Sequence, residues 1–452
     1  MTPKTVSSDG EFIEVKANNN HHANGSTSGP CIVCKRETVE PFLNLGETAL
    51  ANKFLRRDEL SKTELTYPLR VGFCHTCCHV QLTDIVPPQA MFEDYLYVSS
   101  ASDTLKAHLY ELGDLIVQRY RLGSEDLVID IGCNDGTLLK GFRRHGVRVL
   151  GVDPAANLAE LARESGIERY VGFFTSESAP EIARQWGLAA VITATNTFPH
   201  IPRLHDFMTG IKTALARGGV FVIEAHYLVD LLEQGAFDTI YHEHVSYWAL
   251  GPMIYLFDQS GMEVVHVERV PVHHGQVRVF VQRKGEGVVQ PSVASVLETE
   301  RSLGIHEFST YERFADRTRK IKSDLHGKLR ELRDEKKSLV GYGAPAKGNT
   351  LLSYLEIGTE ILTYIVDRSP LKQGLYTPGM HIPVVAPERL LRDQPDYVLL
   401  LAWNFVEEIL AEQSEYLKRG GKFIIPVPEV RIIHEGNVRD EASGAMRMVT
   451  GS

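Results

Sequence analysis

From Asp126 onward the apolar and polar positions fall into blocks. An apolar run, Leu127 to Ile131, meets a turn with Gly132 and Gly136; a helical pattern starts at Leu138, and a second apolar run ends at Asp153. This order predicts a strand, tight turn, helix, strand unit with an acid closing its second strand. The run "AAVITATNTFPHI" supplies the next strand, with Asn196 at its exit, and "GGVFVIEAHYL" the one after. Farther along, Ile321, Leu325, Leu329 and Leu332 recur at helical spacing in a charge-rich stretch. One long amphipathic helix is expected from about Ser292 to Lys337, bridging two domains. After it, "KSLVGYGAPAKGNTLLSYL" repeats strand, glycine turn and helix, "LTYIVDRSP" puts Asp367 at a strand end, and "YVLLLAWN" and "GGKFIIPVP" add two more apolar runs. The pattern predicts an α/β chain with two doubly wound, Rossmann-like units.

A chain of 452 residues exceeds one compact core, so two or three domains are expected. The formal charge of -10 and the lack of a dense Lys/Arg block argue against a nucleic-acid surface and for a small-molecule partner. No apolar run is long enough to span a bilayer and no signal segment is visible, which predicts a cytoplasmic protein. Residues 1–29, with "NNNHHANGSTSG", are too polar to order themselves and read as a tail. Nothing in the sequence fixes the oligomeric state.

Four of the six cysteines fall in two pairs, Cys31 with Cys34 and Cys74 with Cys77. In a cytosolic chain such pairs point to metal before disulfide. Each C-x-x-C knuckle offers two thiolates, and two knuckles complete a tetrahedron with no open position, so the expected zinc is structural. Cys78, His75 or His79 is an alternative fourth ligand to Cys77. A redox pair, or simple burial of the thiols, is the rival reading.

In the first glycine turn, Gly132 and Gly136 allow backbone to approach a ligand, and Asp153 can accept hydrogen bonds from both ribose hydroxyls. The spacing is not that of a dinucleotide-binding G-x-G-x-x-G. The string "DIGCNDG" resembles motif I of class I S-adenosylmethionine methyltransferases, with Asp130 at the acidic position, Gly132 and Gly136 at the glycines and Asn134 between them. Asp153 and Asn196 complete the cofactor set that this resemblance implies.

The acceptor side offers His200, then Glu224 and His226, then "GAFDTIYHEHVSYW". Carbon becomes nucleophilic only after losing a proton, so methylation beside a carbonyl needs a base and a donor for the enolate oxygen. Two histidines and a tyrosine supply both, and Glu243 can orient an imidazole. A catalytic metal on His242 and His244, helped by Glu224 or His226, is one rival; packing at the rim of the fold is another.

The ordered pieces, two knuckles, "EDYLYVSSAS", "DIGCNDG", "NTFPHI", "YHEHVSYW" and "GYGAPAKGNT", resemble the three-domain C-methyltransferases that act on nucleotide-linked keto-deoxysugars. The resemblance implies an N-terminal zinc-binding domain at 30–90, a class I methyltransferase domain at 91–288, a C-terminal Rossmann-like domain at 289–436, and a tail at 437–452. It implies methyl transfer to the carbon beside a sugar ketone, commonly C-3 beside a 4-keto group, with S-adenosylmethionine as donor. His244 would then be the base, Tyr241 and Glu243 would position it or the sugar, His200 would face the enolate oxygen, and Tyr95 or Tyr97 would reach the same site. Glu224 and His226 would line the acceptor side. The second glycine turn is not a Walker A loop, and Gly341, Gly343 and Gly348 miss a dinucleotide fingerprint. The resemblance favours a sugar nucleotide there, with Lys347, Asn349 and Asp367 as contacts. An epimerase or reductase on the same scaffold, or a non-catalytic sugar-nucleotide sensor, is the alternative.

Overall fold

The computed structural model describes residues 4–6, 12–14, 29–92, 98–101, 103–271 and 275–438. These divide into two compact units. The first comprises Met1–Pro41, Gly72–Asp230 and Glu243–Phe308; the second comprises Phe42–Val71, Leu231–His242 and Ser309–Ser452. Within the stretch expected to be an unordered tail, Lys4–Val6 and Phe12–Glu14 pair as short antiparallel strands.

The first unit is built on a seven-stranded sheet: β1 (Leu127–Ile131), β2 (Arg148–Asp153), β3 (Arg169–Val171), β4 (Ala189–Thr195), β5 (Leu215–His226), β6 (Met262–Val270) and β7 (Gln276–Arg283). Their spatial order is β3-β2-β1-β4-β5-β7-β6. The first five run parallel, and β7 is antiparallel to both neighbours. All five residues of β1 are buried, as expected of a central parallel strand covered on both faces. On one face the helices Asp103–Tyr120 and Thr137–Arg143 close a core of Leu109, Leu112, Ile116, Leu138, Leu139 and Phe142. The strand order reverses between β1 and β4, and in such sheets ligands sit beyond the strand ends at that reversal. The loops leaving β1 and β4 therefore border the position where a ligand would sit.

The second unit holds a six-stranded sheet ordered Val384–Val385, Ile365–Val366, Leu339–Tyr342, Tyr397–Leu400, Lys422–Ile425, Arg431–Ile433. All neighbours are parallel except the last pair. The second doubly wound pattern is present, finished by an antiparallel edge strand.

The single long helix is corrected: the structure has two, Pro291–Ser302 and Phe308–Asp334. Gly304 sits at φ 66°, and Ile305 N–H reaches back to Glu300 C=O at 3.0 Å, a six-to-one closure that ends a helix and favours glycine. Ile321, Leu325, Leu329 and Leu332 are all buried on the second helix. Among the described residues no helix is long and apolar enough to cross a membrane.

Candidate active site and metal centre

The four cysteines come together in the first unit. One sulfur atom from each lies within 4.8 Å of the others, with Cys31 to Cys77 at 3.6 Å and Cys34 to Cys74 at 3.5 Å. Sulfurs about 2.3 Å from a shared tetrahedral zinc stand roughly 3.8 Å apart, so the donor set fits zinc and is too open for disulfides. A hydrogen bond to Cys74, with burial, pushes the Cys31 thiol up to about 12, while hydrogen bonds from Cys31 and Cys77 hold Cys74 well below its ordinary value, so the cluster already favours a thiolate that a cation can bind. The alternative fourth ligands are engaged elsewhere. His75 bonds Glu40 at 2.7 Å, His79 meets the Ser246 hydroxyl at 3.2 Å, and Cys78 faces the His306 carbonyl. Among the described residues, no other group of His, Cys and carboxylate side chains is gathered closely enough to share an ion.

At the sheet's reversal, Gly132 and Gly136 have φ of 73° and 76°, Asn134 has 51° and Asn196 has 55°. A Cβ on Gly132 would stand 2.0 Å from the Thr197 hydroxyl, so the loops after β1 and β4 abut where no side chain fits. Asp153 accepts N–H bonds from Asn134 at 2.9 Å and Ala155 at 2.8 Å and pairs with Arg169 at 3.3 Å. Ala155 and Arg169 share Oδ1, whereas Oδ2 takes the Asn134 N–H and keeps a lone pair that suits a ribose hydroxyl. Burial raises the Asp153 carboxyl, against those N–H bonds and Arg169. Asn134 also accepts from Ser99 N–H at 2.9 Å, and Asp135 from Ser100 N–H at 3.2 Å, so residues 99–100 are strapped onto the loop. Asp130 is buried inside the sheet, where it accepts the Thr193 hydroxyl at 2.7 Å, and burial pushes its carboxyl up to about 7. The Asn196 amide oxygen accepts from Gln276 at 2.7 Å. A cradle shaped by glycines beside a strand-end acid fits S-adenosylmethionine.

Next to this cradle three imidazoles gather. His200, on the short turn Phe198–His200, stacks on His244 with ring centroids 5.2 Å apart and planes at 23°. Phe92 stacks on His200 at 5.2 Å, and His226, at the end of β5, lies 5.2 Å from His244. Burial, then the neighbouring His244, lowers the His200 pKa well below its ordinary value; its Nε2 is buried without a hydrogen-bond partner among the described residues. Glu243 and His244 are buried in a turn that runs into the strand Ser246–Tyr247, which pairs antiparallel with Val80–Leu82. In the second unit, Tyr241 is partly buried, and His242 is packed edge-on to Tyr67 and lies 3.3 Å from the Pro68 carbonyl. Tyr95 and Tyr97 lie outside the described residues.

Glu224 stands differently from its neighbours. Its oxygens take His108 at 2.5 Å and Arg278 at 2.8 Å. Burial alone would raise this carboxyl, but those partners outweigh it and hold it below its ordinary value. It is an ion pair inside the sheet, and only the sheet's pairing register, which sets Glu224 opposite Arg278, gives it away.

The second glycine turn repeats the hydrogen bonding of the first. Gly343 N–H reaches Val366 C=O at 2.7 Å, as Gly132 N–H reaches Val152 C=O at 2.7 Å. Asp367 accepts Ala344 N–H at 2.6 Å and Ser369 N–H at 2.8 Å, the places Asn134 and Ala155 take on Asp153. Asn349 donates to Ala51 C=O at 2.7 Å and leaves its amide oxygen buried without a partner among the described residues. Lys347 lies 4.7 Å over the Trp403 ring.

Comparison with known proteins gives three family matches along the chain. Residues 31–92 match a zinc binding domain, residues 106–267 a methyltransferase domain, and residues 271–428 a C-methyltransferase C-terminal domain. The C-methyltransferase NovU of Streptomyces niveus is 40% identical over 404 residues, covering 89% of this chain and 96% of that protein. A ubiquinone biosynthesis O-methyltransferase of Xanthomonas oryzae pv. oryzae is 26% identical over 155 residues, 30% of this chain and 65% of that protein. A solved S-adenosylmethionine-dependent methyltransferase from Anabaena variabilis aligns with 43% of this chain and 98% of its own, at 14% identity and a TM-score of 0.32.

Proposed function

Because the chain belongs to the C-methyltransferases, with a zinc-binding domain, a class I methyltransferase domain dependent on S-adenosylmethionine and a C-methyltransferase C-terminal domain, we propose that it methylates a nucleotide-linked 4-keto-deoxysugar. The carbon attacked is the one next to the ketone, C-3, and it is activated as an enolate. The observation that carries this reading is the His200–His244 stack beside the glycine cradle, with the Nε2 of His200 buried and without a hydrogen-bond partner among the described residues.

Bound S-adenosylmethionine supplies the electrophilic methyl group; the cradle of Asp130, Gly132, Asn134, Gly136, Asp153 and Asn196 would hold it. His244 removes the proton from the carbon beside the ketone, which makes that carbon nucleophilic. His200, kept neutral by burial, donates an N–H to the oxygen as negative charge develops there, and a neutral imidazole in a dry site serves well as such a donor. Tyr241 and Glu243, which precede His244 in sequence, orient the base or the sugar; His226 and one of Tyr95 and Tyr97 complete the acceptor side. Glu224 acts from behind, fixing the end of β5 that carries His226. The glycine turn of the C-terminal unit, with Lys347, Asn349 and Asp367, anchors the nucleotide, since backbone N–H groups at a helix start favour anions. Reduced metal knuckles suit a cytoplasmic setting.

A panel of nucleotide-linked 4-keto sugars incubated with S-adenosylmethionine and the zinc-loaded enzyme tests the substrate class. One sugar should gain a single CH2 in mass, with the new methyl placed by NMR on the carbon next to the ketone. A methyl found on oxygen or nitrogen would contradict the enolate route.

A further inference from the structure

The segment Leu231–His242 folds with the C-terminal unit and leads directly into Glu243 and His244. Its turn Phe237–Thr239 is fixed by an arrangement centred on Asp238, a residue that the chemistry above does not use. Asp238 is fully buried; its Oδ2 accepts the Trp403 indole N–H at 2.6 Å, and its Oδ1 has no hydrogen-bond partner among the described residues. The Lys347 ammonium lies over the same indole ring, 4.7 Å from its centre. Burial raises the Asp238 carboxyl and lowers the Lys347 ammonium, and in each case the other's charge is the first influence to oppose it. Phe237 packs edge-on to Tyr354 at 5.4 Å. Upstream, Arg317 grips the carbonyls of Leu232 and Glu233 at 3.4 and 2.9 Å.

Burying a carboxylate and an ammonium carries a desolvation cost that apolar residues of the same size avoid. What the charged set gives in return is direction: an indole N–H has to point at a carboxylate oxygen, whereas an apolar plug can slide. The chain leaves this fixed point and reaches Tyr241 within one turn's length. We propose that Asp238 is a positioning residue for methyl transfer, gripped by Trp403 and balanced by Lys347, and that it sets where the chain holds Tyr241. This rests on the assignment of the acid/base chemistry to the Tyr241–His244 segment, and it uses Lys347 as a counter-charge whether or not the neighbouring turn anchors a nucleotide.

The test uses two full-length, zinc-loaded variants and the sugar nucleotide methylated in the panel. Asp238→Asn keeps an acceptor for the indole and removes the charge facing Lys347; Trp403→Phe keeps the charge and removes the donor. Each should lower kcat about 10- to 100-fold, the scale of a small misplacement of reacting groups, with S-adenosylmethionine affinity and zinc content unchanged. Deuterium exchange at the acceptor carbon should slow in parallel. Wild-type kcat in both variants, measured at a temperature where they are folded, overturns the proposal. So does a rise in acceptor KM with kcat intact, which would make Asp238 a binding element, or a lowered Tm with kcat intact, which would make it purely structural. Loss of His244 activity in an otherwise intact enzyme is a separate measurement, so a wrong base assignment and a wrong role for Asp238 give different results.

Discussion

At the scale of single residues, the proposed chemistry depends on which side chains carry charge. Burial lowers the His200 pKa well below its ordinary value, so in the proposed reaction its part is to donate an N–H and not to lend a positive charge. His200→Phe keeps the stack between Phe92 and His244 while removing the N–H; kcat should fall about 100-fold, the usual loss for one oxyanion donor, with S-adenosylmethionine affinity unchanged by calorimetry. Asp130 gives a pH prediction. Its folded pKa, about 7, lies above the ordinary 3.8, so the folded chain keeps a proton that the unfolded chain releases. Its contribution to stability is therefore full below about pH 4 and is lost as pH rises to about 7. Asp130→Asn, with Thr193 still able to donate, should raise Tm relative to wild type at pH 8 and lose that advantage by pH 5. An equal Tm difference at both pH values would show that the carboxyl is not protonated in the fold. The four cysteines and Gly132 are legible in the sequence because their chemistry demands those residue types at those spacings. The partners His108, Arg278 and Trp403 are not, because each meets its carboxylate across a long loop in the chain, and only folding reveals it.

At the scale of elements, apolar runs bounded by glycine turns locate strands reliably, and β1, β2, β4 and β5 lie where the pattern puts them. The break between Pro291–Ser302 and Phe308–Asp334 is less visible, because apolar spacing continues across it and Gly304 is its one local signal. Similarly, "YHEHVSYW" has neither helical nor strand period; it is a turn entering a two-residue strand, and its meaning lies in what surrounds it. Gly132→Ala should separate conformation from chemistry. A left-handed φ costs about 1 kcal/mol for alanine, and the added Cβ would also meet the Thr197 hydroxyl. The variant should bind S-adenosylmethionine at least tenfold more weakly by calorimetry, by the ordinary conversion of about 1.4 kcal/mol to a factor of ten.

At the scale of the whole molecule, the three-domain order is legible because each domain carries its own signature: knuckles, first glycine turn, second glycine turn. The interleaving of the two compact units is not legible, since it depends on where Phe42–Val71 and Leu231–His242 find their partners. A closed four-cysteine site contributes folding energy, so zinc should be present at about one equivalent per chain by mass spectrometry. Cys77→Ser should reduce it well below that and lower Tm, as should chelation of the wild type. Unchanged Tm after complete zinc removal would make the knuckles dispensable to the fold. Formation of an enolate by His244 beside a sugar ketone is read out by hydrogen exchange. The accepted sugar nucleotide is held with enzyme and S-adenosylhomocysteine in deuterated water, and the proton next to the ketone is followed by NMR. The wild type should exchange it without methyl transfer and His244→Ala should not. Exchange retained at the wild-type rate in His244→Ala would contradict the assignment and place the base elsewhere.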